Sequence, residues 1–258
     1  DFAALYDADA GLFYVGMHTD RSQPTAEHYD LLASEARMTS FAAILMGQVP
    51  LRHWYRLGRM FARTPGGKAL VSYSGTMFEY MMPLLFQPPV RGTLLYNACA
   101  EAFRLQRRHR VGGVFGVSES GYYAFDPNLL YQYRAFGLPS LALAPDNQSD
   151  VVAPYATLLA APMGARKAFA NVLRLRNLGM EGPLGLFEAA DFCRARTGKP
   201  MRIVRSHMAH HQGMILLAVC NLLEEDYIAT LFSSLPRVEA YRLLLEEKPL
   251  RARGLVRR

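Results

Sequence analysis

The chain has 258 residues, 51% of them hydrophobic and 20% charged, which excludes a disordered or collagen-like polypeptide and leaves enough length for a substantial core. The formal net charge is +7, but Arg251, Arg253, Arg257 and Arg258 stand in an acid-free tail, so the body is only mildly basic and no nucleic-acid partner is expected. The longest apolar stretch, 213–223, contains Asn221 and falls far short of the ~18 apolar residues of a spanning helix, so no direct membrane contact is expected of this segment.

In chain order, a short extended piece is predicted at 11–17. A first helix is predicted over 25–47, where Leu31, Glu35, Met38, Ala42 and Leu45 recur at helical spacing, with Thr25 as N-cap and Gly47 and Pro50 as the stop. After an extended piece at 70–73 and a turn at 72–75, a helix runs through Met82, apolar nearly all round as inner helices are. The segment 93–110 reads as amphipathic, with Leu94, Leu95, Ala98, Ala102 and Leu105 inward and Arg107, Arg108 and Arg110 opposing the dipole; Gly112 and Gly113 end it. Helical patterns then cover roughly 129–136, 151–161, 164–178, 206–223 and 235–247. Loops are predicted at 112–123, 145–150, 179–185 and 197–200, and an extended piece at 201–204. These extended pieces are too few and scattered for a central sheet, so the class is all-α. One domain is expected over 1–249, with 250–258 a basic tail or linker.

Acids in apolar or glycine-rich surroundings stand out, because Glu and Asp are seldom buried unless paired or functional. Glu35 falls on the buried stripe after Asp30, either as a catalytic group or in an internal ion pair with Arg37. Glu79 lies in an apolar helix beside Tyr80, either catalytic or anchoring a helix end. Glu119 occupies Gly116-Val-Ser-Glu-Ser-Gly-Tyr-Tyr123, a loop able to present a carboxyl beside the rings of Tyr122 and Tyr123. Glu188 and Asp191 are three apart on one face of a predicted helix, where acids at a helix start are the simpler explanation. His207, His210 and His211 fall at i, i+3 and i+4 but lack an HExxH, a thiolate or a suitably spaced carboxylate; they read as hydrogen-bonding groups, and no metal or cofactor is expected. Several carboxyls with aromatics suggest glycoside chemistry, in which two carboxyl groups stand about 5 Å apart (retaining) or about 6.5–9.5 Å apart (inverting).

Tyr29-Asp-Leu-Leu-Ala-Ser-Glu-Ala-Arg37, Pro50 through His53-Trp54, Ser74-Gly-Thr-Met-Phe-Glu-Tyr80, Ser118-Glu-Ser120, Tyr131-Gln-Tyr133 with Phe136-Gly137, Ala153-Pro-Tyr-Ala156 and Met208-Ala-His-His-Gln-Gly-Met214 follow one another along nearly the whole chain. Together they resemble the glycoamylase-like domain of bacterial cyclic β-1,2-glucan synthases, a domain similar to stand-alone endo-β-1,2-glucanases. The resemblance implies an (α/α)6 toroid, incomplete in this segment, whose inner helices and loops line a carbohydrate cleft. It implies transglycosylation that closes a β-1,2-glucan chain into a ring, with hydrolysis by an endo-β-1,2-glucanase or non-catalytic glucan binding as alternatives. It also implies Glu119, in the Ser-Glu-Ser string, as acid/base and Glu35 as its partner carboxylate. Where the family pattern often reads Pro-Trp-Gly and Ser-Trp-Ser-Gly, this chain has Val114-Phe115-Gly116 and Ser72-Tyr73-Ser74-Gly75, each keeping an aromatic ring.

On that reading, Glu119 is expected to be held protonated and Glu35 to be kept ionised by Arg37 or neighbouring donors. Trp54, Tyr80, Tyr122 and Tyr123 are expected to stack on sugar rings, and His210, His211 and Gln212 to contact hydroxyls. Asp30, Glu79, Glu188 and Asp191 are expected to bind substrate. Cys99, Cys193 and Cys220, odd in number and widely spaced, fit free thiols in a reducing compartment. With no initiator Met or signal pattern, the chain reads as an excerpt of a larger membrane protein, acting with that protein's remaining domains on the cytoplasmic side of the inner membrane.

Overall fold

In the computed structural model, which describes residues 1–145, 150–195 and 198–249, helices pack together with several small antiparallel sheets. The helices are α1 (Arg37–Leu45), α2 (Arg52–Arg56), α3 (Met77–Met81), α4 (Leu94–Arg108), α5 (Pro154–Leu159), α6 (Ala161–Asn177), α7 (Ala209–Leu223), α8 (Tyr227–Ser233) and α9 (Pro236–Tyr241). Their apolar faces meet in one core that includes Leu32, Phe41, Trp54, Met77, Tyr80, Met81, Phe103 and Tyr155. Among the described residues no helix is long and apolar enough to cross a membrane. The basic tail lies outside the described residues, as do parts of the predicted loops at 145–150 and 197–200.

The helical pattern holds where caps and periodicity agree. Thr93 caps α4 by accepting from Tyr96 N–H at 3.1 Å, and Arg107 and Arg108 occupy its last turn. Thr76 opens α3 with a capping box, its side chain accepting from Glu79 N–H while the Glu79 carboxylate accepts from Thr76 N–H.

The all-α class is corrected: helices share the fold with two three-stranded and four two-stranded sheets among the described residues. The first helix begins only at Arg37. After the short strand His28–Tyr29, the chain instead enters the core without helix, with Leu31, Leu32, Ala33 and Ser34 buried in succession and Leu32 N–H donating to Gly58 O at 3.0 Å. Four consecutive buried residues belong to a strap through a core, not to a helical stripe. Thr25 is no N-cap; its backbone and hydroxyl pair with Gly16.

The predicted helix at 129–136 is also a strand, Tyr131–Arg134, paired antiparallel with Ser120–Phe125. Asp126 accepts from Asn128 and Leu130 N–H, and Leu129 turns with φ 61°, so turn chemistry overrides the apolar spacing. Glu188 and Asp191 do not share a helical face: Ala189–Asp191 is the central strand between Val151–Val152 and Arg202–Val204. This sheet and the 120–134 hairpin enclose a second apolar cluster that includes Val117, Phe136, Val152, Ala190 and Val204. Gly137 passes so close to Ser74 that a Cβ would lie 1.8 Å from its carbonyl oxygen, which locks the end of the hairpin onto the turn before α3.

Candidate active site

A cleft of about 470 Å³ opens where the N-terminal strap, the turn before α3 and the bend before the 120–134 hairpin converge, with Asp30, Glu35, Tyr73, Glu79 and Glu119 on its walls. Two core-crossing segments thus bring Glu35 and Glu119, remote in sequence, to one cavity.

Glu35 sits in the turn preceding α1, its Oε2 accepting from the Ser34 hydroxyl at 3.2 Å. Removal from water, reinforced by the negative charges of Glu79 and Glu119, pushes its carboxyl up to about 7. The expected partnership with Arg37 is not formed. The buried guanidinium donates to the carbonyls of Ser34, Glu79 and Tyr80 at 3.3, 3.4 and 3.1 Å.

Glu119 is fixed by its own backbone. Its carbonyl accepts from the Tyr155 hydroxyl at 2.8 Å, and Ser118 Oγ lies 3.0 Å from that hydroxyl while accepting from Phe78 N–H at 3.0 Å. The bend is therefore tied to both α3 and α5. Burial raises the Glu119 carboxyl above the ordinary range, whereas a hydrogen bond from the Tyr133 hydroxyl to Oε1 at 2.9 Å and the nearby His211 act in the opposite sense. Tyr29, half-buried, feels all three acids: its phenol is raised by burial and then by Glu35, Glu119 and Glu79.

Glu79 borders the cleft, yet its carboxylate already accepts from Ser72 Oγ (3.0 Å), Ser74 N–H (2.9 Å), Thr76 N–H (2.7 Å) and Thr76 Oγ1 (2.8 Å). It is the anchor of the turn, as the helix-end reading anticipated.

The expected stacking rings lie elsewhere. Trp54 is 1% exposed and packs edge-on against Phe41 in the core. Tyr80 is buried, its hydroxyl donating to Leu70 O at 2.7 Å and accepting from Ser72 N–H at 3.1 Å. Tyr122 meets Phe136 and the Arg194 guanidinium, and Tyr123 meets Phe125, Tyr131 and Arg202, on the hairpin side of the second cluster. These four positions were chosen from ring type, which says nothing about which way a ring faces.

Asp191 is fully buried, accepting from Tyr123 N–H (2.9 Å), Arg194 N–H (3.1 Å) and the Arg194 guanidinium (3.1 Å), so it braces the hairpin rather than a sugar. Glu188 accepts from Gly121 N–H at 3.0 Å and pairs with His211 Nδ1. Gln212 donates to Leu186 O at 3.3 Å. His210 is exposed beside His211, with burial of its ring holding its pKa below the usual value.

Three tyrosines escaped the sequence reading. Tyr133 and Tyr155 hold Glu119, and Tyr73, 62% exposed, lines the cleft. The strings that contain Tyr133 and Tyr155 were the available signal. Carboxyl groups with raised proton affinity, lining one cleft with an exposed aromatic ring, are groups able to do acid/base chemistry.

A family model described as "Putative glucoamylase" matches residues 27–236. The cyclic beta-(1,2)-glucan synthase NdvB of Rhizobium meliloti (strain 1021) is 40% identical over 253 residues, a match covering 96% of this chain and 9% of the length of NdvB. Among solved structures, an endo-beta-1,2-glucanase from Chitinophaga pinensis, in complex with sophorotriose and glucose, superposes with a TM-score of 0.66 at 15% identity, covering 92% of this chain and 59% of that one. A protein from Bacteroides uniformis ATCC 8492, described in the same words as the family model, gives 0.70 at 15% identity, covering 95% and 61%. At these identities the structural likeness establishes the fold.

Proposed function

Because this chain belongs to the Glycoamylase family, we propose that it cleaves and transfers β-1,2-glucan chains, as the cyclising transglycosylase part of a cyclic β-1,2-glucan synthase. The identity with the Rhizobium synthase along nearly the whole chain carries this reading. Residues 1–249 form the catalytic part, and helices of a longer parent chain complete an (α/α)6 toroid around the cleft. That parent is a membrane protein whose other domains work with this one, on the cytoplasmic side of the inner membrane.

Glu35, protonated near neutrality, donates to the departing glucosyl oxygen. Glu119, favoured as an anion by the Tyr133 hydrogen bond, attacks C1 or activates the attacking hydroxyl. These roles reverse those expected from the Ser-Glu-Ser string, because burial acts strongly on Glu35 and, among the described residues, no cation forms an ion pair with it. Asp30 and Tyr73 contact the sugar, the latter as a stacking face. Attack by the glucan's own hydroxyl yields a ring, and attack by water yields linear products. The hydrolytic reading is the second one, supported by the fold shared with the Chitinophaga glucanase.

The test is product analysis by mass spectrometry after incubating the complete domain in its parent chain with linear β-1,2-glucan. Products lighter than their linear counterparts by one water are expected, and exclusively linear ones would favour hydrolysis. Glu35→Gln and Glu119→Gln should each lower turnover by at least about a hundredfold; activity within tenfold of the parent removes that residue from the mechanism.

A further inference from the structure

Behind Glu119 a line of polar side chains runs through Tyr133 to His211 and Glu188, the last two of which the reaction above does not use. His211, in the first turn of α7, is 1% exposed, and Glu188, just before the central strand Ala189–Asp191, is 2% exposed. His211 Nδ1 lies 3.0 Å from both Glu188 oxygens, and Gly121 N–H donates to Oε1 of the same carboxylate at 3.0 Å. The imidazole is stacked on Tyr155 at 3.7 Å between centroids and 12° between planes, so its orientation is fixed. Its other nitrogen, Nε2, lies 3.4 Å from the Tyr133 hydroxyl, which itself donates to Glu119 Oε1 at 2.9 Å.

Counting hydrogens selects one arrangement. A carboxylate can only accept, so Nδ1 carries a hydrogen towards Glu188. The single Tyr133 hydroxyl hydrogen points to Glu119, the nearer acceptor. Nε2 then faces an oxygen whose hydrogen is directed elsewhere, and the contact is attractive only when Nε2 also bears a hydrogen. The chain of donors then runs unbroken, with an anion at each end and one cation between them.

We propose that Glu188 and His211 are positioning residues for Glu119, His211 carrying hydrogens on both ring nitrogens and acting on the carboxylate through the Tyr133 hydroxyl. The proposal rests on the reading of Glu119 as the ionised partner of Glu35. The other titratable groups facing this line are Glu79, Glu35 and Tyr29 around the cleft, and Tyr155 and His210 against the imidazole. Glu79 opposes ionisation of Glu119, and Glu79 and Glu119 oppose that of Glu35, which is the work the cation offsets.

Two measurements test it. In ¹⁵N-histidine NMR of the chain, with His211→Gln for assignment, both His211 nitrogens should show bound hydrogens at pH 6; a lone-pair signature at Nε2 overturns the proposal. In the active domain, Glu188→Gln and Tyr133→Phe should each lower kcat about tenfold with KM within twofold, and move the acidic limb of kcat/KM up by about one pH unit. The double variant should be no worse than the single ones. Additive losses, or a lower melting temperature with an unmoved limb, overturn it in favour of a purely structural role. Should Glu188→Gln fail to fold, Tyr133→Phe and His211→Gln carry the same comparison. If the unaltered domain does not turn over β-1,2-glucan, the proposed function fails. Infrared titration of the Glu119 carboxylate, assigned with Glu119→Gln, still decides the positioning: it should ionise at higher pH in Tyr133→Phe, and an unchanged titration overturns the inference.

Discussion

Arg37 stands two residues beyond Glu35, yet no ion pair joins them. Arg37 is buried with its guanidinium on the carbonyls of Ser34, Glu79 and Tyr80, holding the strap against the end of α3. Glu35 remains at the cleft with one hydroxyl donor. The cation thus serves the scaffold, and the acid is left with a raised proton affinity.

That asymmetry has a measurable effect on stability. The folded-state pKa of Glu35, about 7, lies above the ordinary glutamate value, so the protein favours the protonated form. The stability this group contributes is fully present below the unfolded-state pKa of about 4.3 and is lost as pH rises through about 7. Glu35→Gln should therefore be more stable than the parent at pH 8, by up to about 3 kcal/mol, and equal to it near pH 4. Urea titrations at the two pH values check the crossover.

The same group shapes the rate. With Glu35 as proton donor, kcat/KM on β-1,2-glucan should fall as pH rises through about 7, tenfold per unit beyond that point. A profile flat from pH 6 to 9 would contradict donation by Glu35.

Glu79 should act through the fold. Glu79→Ala strands two backbone N–H groups and two hydroxyls in a buried turn and removes a capping box. A loss of about 3–5 kcal/mol in denaturant unfolding is expected.

The aromatic residues should divide into two groups. Tyr73→Ala, at an exposed cleft position, should raise KM about tenfold with melting temperature nearly unchanged. Trp54→Ala, in the core, should cost about 3–5 kcal/mol of stability. Equal KM effects from the two would contradict this placement of the sugar.

Some of the locally decided chemistry was legible. The amphipathic stripe of α4 and its basic last turn depend on residues within a few positions of one another, whereas the caps of α3 and α4, Thr76 and Thr93, came from the structure and the expected cap Thr25 did not form. The strings that point to the family were legible too, since they preserve residue type in order. The predicted helix over residues 25–47 formed only from Arg37 to Leu45; its N-terminal part failed because Leu31 and Leu32 answer to Gly58 and the core, partners no periodicity can reveal. The predicted helix over residues 129–136 yielded to the Asp126 turn, a signal present in the sequence but outweighed by apolar spacing.

The amino-acid order by itself determined that Glu35 and Glu119 were the acids to examine and that a sugar-processing family was at hand. Only the tertiary structure decided which rings face the cleft, that Arg37 serves backbone carbonyls, and that Tyr133 reaches Glu119. Proton affinity depends on lost water and on donors contributed by remote segments, so two glutamates alike in sequence become unlike only when the chain closes around them.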